Sequence, residues 1–426
     1  MSIDETESPG TAAGQVGSSG TSAGGPGPSG DGASAQPPTA AGTVGRGPWR
    51  ETGASVATVA AFGVVFLVYA LWLQGGFYDV TRLSFNVSRS APQLVLAVAV
   101  AVCMCGHRFD LSVAAVATAG CFLTVGAFID AGLPMAAALV LTLLMGAVAG
   151  LLNGILVTRF RINAFIATLG TGGLITGFTV VYSAGEVVGP TPGSGPLPGW
   201  FSGAGSLGDF QNKVPPAVGI LVTAAVVAAM LISLDQRFPG PDARRRIQGT
   251  VLGLVGVLLV GGAWALGLTA EFDWMIVITL VLTLLVWTVM KYTAIGHAIY
   301  AVGGNPSAAA FAGIRTDLIS ACLFVFSGTI AALAGILIAS QQGSASPGVA
   351  DPLLLPAYAG AFLSTVILSR GRFHIWGTVG GSIALVYVTD GLVVGGVEYT
   401  WTQVINGAVL IVAVALSTFL QRRPGS

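Results

Sequence analysis

Asn305 and Pro306 stand side by side in Gly296–Arg315, a stretch set between two long apolar runs. The Asn305 side-chain oxygen suits the cap of a first helical turn. Pro306 suits the first helical position, where an amide donor would lack a partner anyway. Ala308, Ala309 and Ala310 propagate a helix, and Gly313 can end it. The chemistry on offer is recognition rather than reaction: one small, stiff, almost uncharged helix presented to a partner. An ordinary loop with one helical turn fits the same residues.

Reacting groups are sparse. His107, His297 and His374 are too scattered to suggest a metal site. No Gly-x-x-x-x-Gly-Lys-Ser/Thr run occurs, because Lys213 follows Asn212 and Lys291 follows Met290. The chain therefore has no phosphate-cradling loop and cannot hydrolyse ATP by that route. Cys103, Cys105, Cys121 and Cys322 fall in or beside apolar stretches and read as buried free thiols. The expectation is a protein that is no enzyme and carries no cofactor or metal of its own.

A few polar groups remain inside the apolar runs. Asn153, Thr168 and Thr171 are candidate contacts along a path for a polar solute. Asp390 interrupts the run Ser382–Val394. A charged residue at a helix centre costs roughly 2.5–3.5 kcal/mol, so Asp390 should face the bundle interior or sit near the outer interface. His107, Arg108 and Asp110 would be hard to bury together and mark a loop or helix break. Gly146, Gly150 and Gly154 recur every four residues, as close helix packing requires. Gly170, Gly172, Gly173 and Gly177 give the next run a similarly small face.

The elements that must position these residues are membrane helices. Apolar residues make up 54% of the chain and charged residues only 8%, with a mean hydropathy of +0.82. Soluble domains carry about a quarter charged residues, so the composition points to an integral membrane protein. The net charge is zero, which gives no hint of a nucleic-acid partner. Runs long enough to cross a bilayer, or nearly so, occupy 54–73, 91–106, 110–129, 134–157, 163–183 and 214–234. Further runs follow at 248–269, 272–290, 316–340, 354–369, 373–394 and 402–420. The expected architecture is an all-α polytopic bundle of about 10–12 spans. The short runs 91–106 and 354–369 read as broken or re-entrant segments.

Basic residues alternate from side to side. Arg159 and Arg161, Arg237 with Arg244–Arg246, Lys291 to Arg315, Arg370 and Arg372, then Arg422 and Arg423 share one face. Arg82, Arg89 and Lys213 fall on the other. The positive-inside bias puts both termini and Gly296–Arg315 in the cytoplasm. Residues 1–45 are rich in Gly, Ser, Ala, Pro and Thr and cannot offset their ordering entropy, so a disordered tail is expected before a membrane domain at 46–426. Deleting the tail should leave membrane insertion and activity near wild type.

Tyr300–Pro306 followed by Ala312-Gly-Ile314 resembles the coupling segment of ABC importer permeases of the ribose/xylose type. Phe109–Val113, Gly150–Thr158 and Asn163–Thr171 resemble the same family, in the same order. The likeness runs over roughly residues 90–420 and is greater to the longer xylose-type permeases, which share the extra spans at 214–269. Two features depart from it. Asp390 stands where the family usually has asparagine, and Phe362–Thr365 replaces a Gly-Gly-Thr-Ser segment.

The resemblance implies a monosaccharide importer in a bacterial cytoplasmic membrane. It further implies a second copy of the chain, a cytoplasmic ATPase holding ATP and Mg, and an extracytoplasmic sugar-binding protein. Gly303, Gly304, Asn305, Pro306, Ala308, Ala309 and Gly313 would then contact the ATPase, and Asn153, Thr168, Thr171 and Asp390 would line the sugar path. Two rivals remain. An ion-coupled secondary transporter needs an acid or histidine deep in a span, for which only Asp390 qualifies. A membrane assembly protein without transport is the other.

Overall fold

The computed structural model describes residues 64, 67–69, 71–73, 80–206, 214–235, 273–367 and 372–421. Most of the expected span 54–73, the span 248–269, the arginines at 237 and 244–246 and the tail 1–45 lie outside these residues.

The described elements are helices. They run α1 (Val80–Arg89), α2 (Ala91–Cys105), α3 (Val113–Ile129), α4 (Met135–Thr158), α5 (Ala164–Ser183), α6 (Gly199–Gly205) and α7 (Pro216–Asp235). Then come α8 (Trp274–Tyr292), α9 (Ala294–Gly304), α10 (Pro306–Phe311), α11 (Thr316–Gln342), α12 (Leu354–Ile367), α13 (Ile375–Val394) and α14 (Thr402–Gln421). An antiparallel bridge pairs Val188 with Ala345.

The chain is an all-α, multi-pass membrane bundle. α4, α5, α8, α11 and α13 are long and apolar enough to cross a bilayer. Thr81–Arg89 and Ala91–Cys105 meet that test together but bend by 54° at Ser90. Three shorter apolar helices cover Val113–Ile129, Pro216–Ala229 and Thr402–Ala415. The count of full spans among the described residues is thus five or six, below the expected 10–12. Breaks at Ser90, at Gly106–Ser112 and before Leu354 divide the sequence into helices too short to count.

The core forms around α2 and α11. Every residue of α2 except Gln93 is buried, which is why its sequence is apolar on all sides. α11 lies against α4 through the glycine stripe. A Cβ at Gly146 would strike the Gly328 carbonyl, and one at Gly150 the Phe324 carbonyl. A Cβ at Gly154 would stand 3.0 Å from the Ala321 Cα. The stripe is a joint within the chain, where missing side chains let two backbones touch. The Gly170, Gly173 and Gly177 Cβ positions meet nothing within 4 Å. α4 and α5 turn Leu144, Val148, Leu152, Ile166, Leu169 and Phe178 outward, an apolar exterior suited to lipid.

Candidate functional site

Gly296–Arg315 folds as two helices where the sequence suggested one. α9 takes up Ala294–Gly304, and its first turn is capped by the Thr293 hydroxyl, which accepts from the Gly296 amide at 3.2 Å. Asn305 then ends α9 and begins α10. Its Oδ1 accepts from the Ala308 amide at 2.9 Å, with Pro306 at the first helical position. Gly313 adopts φ +83°, the left-handed conformation that favours glycine. The Gly313 and Ile314 amides donate to the Ala310 and Ala309 carbonyls at 2.9 and 3.0 Å, closing the C-terminus. A six-residue helix is thereby fixed at both ends.

Its two faces differ. Ala309 is buried, so it anchors α10 to its own chain and does not belong to the outer surface. Ala308, Ala310 and Phe311 point outward, and Phe311 is 94% exposed. Gly303 is also interior, since a Cβ there would strike the Cys105 carbonyl. Gly304 has open space around it. The sequence reading missed Phe311; an aromatic one residue past an alanine run is the signal for it.

Behind α10 a buried polar chain joins four segments. Asp110 lies in the break between α2 and α3 and is 1% exposed. Its Oδ1 accepts from the Ser112 amide at 3.1 Å and the Ser112 hydroxyl at 2.6 Å. The Tyr358 hydroxyl on α12 donates to the Asp110 carbonyl at 2.8 Å and accepts from its amide at 3.1 Å. On α4, Asn153 Nδ2 donates to the Ser112 hydroxyl at 2.8 Å, while its Oδ1 accepts from the Thr171 hydroxyl at 2.6 Å. Thr168 accepts from the Leu111 amide at 3.1 Å. The structure so brings Asn153, Thr168 and Thr171 together, with both ends of Asn153 occupied inside the protein.

Two arginines of this end are held by side chains. Arg108 donates to the Ser320 hydroxyl at 3.1 and 3.3 Å. Arg161 makes two parallel bonds to Asp317, both 3.0 Å, on the exposed surface. Break, network and α10 thus share the N-terminal end of α11. Cys103, Cys105 and Cys121 are buried free thiols as expected, whereas Cys322 is exposed.

Asp390 is elsewhere. Near the C-terminal end of α13, it accepts from Asn86 Nδ2 on α1 at 2.6 Å. α11 is 27 residues long, so its two ends stand about 40 Å apart. Asp390 belongs with the far end, on a cavity of about 300 Å³ that Gln341 also lines. Among the described residues, no group of three or more His, Cys, Asp or Glu side chains is placed to hold a metal ion.

The chain is similar to the xylose transport system permease protein of Escherichia coli (strain K12), at 26% identity over 384 residues. That match covers 86% of this chain and 92% of the relative. It is also similar to the autoinducer 2 import system permease protein of Yersinia pseudotuberculosis, at 28% identity over 363 residues, 85% of this chain and 83% of the relative. No solved structure matches. The family model described as the branched-chain amino acid transport system permease component matches residues 83–414, the span that holds α10, the buried network and Asp390, and the chain belongs to that family of transport-system permeases.

Proposed function

We propose that this chain is the membrane subunit of an ATP-driven importer that carries a monosaccharide across a bacterial cytoplasmic membrane. One observation carries the reading: α10, a capped helix of six residues, holds Phe311 clear of the protein while Ala309 anchors it. A short rigid lever of this kind suits transmission of force from a separate ATPase, and an exposed aromatic suits an anchor in that partner's groove. The two relatives named for xylose and autoinducer 2 favour a sugar-like solute over an amino acid. The ATPase holds ATP and Mg, and a sugar-binding protein delivers the solute to the far face. A second copy forms the other half, with the open Gly170, Gly173 and Gly177 face of α5 available for close packing.

No bond is made or broken on this chain; its part is to alternate access. The ion-coupled rival has little support, because Asp390 is bonded to Asn86 near a helix end, and the buried Asp110 lies in a helix break and is bonded to Ser112. The test is uptake of labelled xylose into proteoliposomes holding the chain with its ATPase and binding protein. Uptake should require ATP and persist when an uncoupler collapses the membrane potential. Uptake that needs the potential and ignores ATP would overturn the proposal.

A further inference from the structure

The cavity at the far end of α11 is lined by Asn86 and Arg89 of α1, Gln93 of α2, Gln341 of α11, Asp390 of α13 and Asn406 of α14. Three observations bear on its chemistry. First, it lies at the break between α1 and α2, where the chain bends by 54° at Ser90. Broken helices at membrane depth are tolerated where they are shielded by protein or line a hydrated cavity, and transporters commonly place solutes at such breaks. Second, Gln93 is the one residue of α2 that is not buried, so this otherwise apolar helix offers a carboxamide only here. Third, Asn406 is 8% exposed, yet its Oδ1 has no hydrogen-bond partner. A buried acceptor without a partner is costly, and a bound hydroxyl would relieve that cost.

We propose that this cavity is a transit site for a neutral, hydroxyl-rich solute of monosaccharide size, a proposal that rests on the importer reading above. Its volume of about 300 Å³ falls at the small end of ligand pockets. Each carboxamide offers a donor and an acceptor, which matches the dual character of a hydroxyl. Arg89 and Asp390 supply one charge of each sign, and Asn86 already occupies Asp390. The site therefore has no net charge with which to select an ion.

The experiment is saturation-transfer NMR on the full chain in nanodiscs, with D-xylose and L-leucine as probes. Xylose should show transfer and leucine should not. Asn406→Leu and Gln93→Leu should each weaken xylose about tenfold, the effect of losing one buried polar partner. Gln93→Leu replaces a side chain that is not packed away, so it keeps the test open should Asn406→Leu fail to fold. Transfer to leucine that xylose does not displace would mean a zwitterion site and overturn the proposal. Equal xylose binding in wild type and both variants, or no transfer from wild type, would also overturn it. ATP-driven xylose uptake by the assembled importer, run in parallel, separates the two ideas. Uptake without transfer refutes the transit site alone, whereas transfer with potential-driven uptake refutes the importer reading alone.

Discussion

The two ends of α11 differ in how tightly their polar groups are cross-linked and in whether they border a cavity. At its start, Asp110, Ser112, Asn153 and Thr171 bond one another, Arg108 holds Ser320 and Asn305 caps α10, while Asp110 Oδ2 and the Ser327 hydroxyl are buried without a hydrogen-bond partner. At its finish, Asn406 keeps an unpartnered oxygen beside Gln93 and Asp390 on a cavity. A cross-linked network resists deformation, because moving one member leaves others unsatisfied in a medium of low dielectric. The far-end groups line a cavity with room for a solute. The difference divides the work: one end is stiff enough to take a push, and the other has polar groups to offer.

If that division holds, substitutions should cost stability at the first end and little at the second. The largest loss should come from Asn153→Leu, which removes the bridge between Ser112 and Thr171. About 3 kcal/mol is expected from the buried Ser112 and the half-buried Thr171 left without this partner, read as a lower melting temperature in detergent. Gly303→Ala comes next, at about 2 kcal/mol, because its Cβ meets the Cys105 carbonyl. Gly304→Ala, in open space, should be close to neutral; similar losses for both would remove the packing argument. Asn305→Ala loses a helix cap worth about 1 kcal/mol and should partly weaken ATPase association in pull-down titrations.

The smallest effect tests the far end. Asp390→Asn keeps an oxygen to accept from Asn86, so the melting temperature should move by less than the equivalent of about 1 kcal/mol. A loss as large as that for Asn153→Leu would erase the contrast between the ends.

Much of this was legible in the sequence, and what was not has a common cause. Local signals placed α4 at 134–157 against an observed Met135–Thr158, and α5 at 163–183 against Ala164–Ser183. Asn305, Pro306 and Gly313 do what cap chemistry demands of them. The break at Gly106–Ser112 was visible in the ionisable side chains of His107, Arg108 and Asp110, but the burial of Asp110 was not. That depends on Tyr358, 248 positions away. The inward turn of Ala309 and the pairing of Asn86 with Asp390 are likewise tertiary facts. Periodicity reports which residues share a face of one helix and says nothing of what that face meets. The glycine stripe was read correctly as packing, yet its partner, α11, could not be named from spacing alone.

The most direct test lies at the tip of α10. Phe311→Asp and Ala308→Glu alter only outward-facing side chains, leaving the Ala309 anchor and the Asn305 cap in place. Each variant is co-expressed with the ATPase and binding protein, purified through the permease, and assayed for retained ATPase and ATP-driven xylose uptake. The expected result is normal membrane insertion with loss of both the ATPase and the uptake. Full ATPase retention and wild-type uptake in both variants would contradict the reading of α10 as the coupling helix.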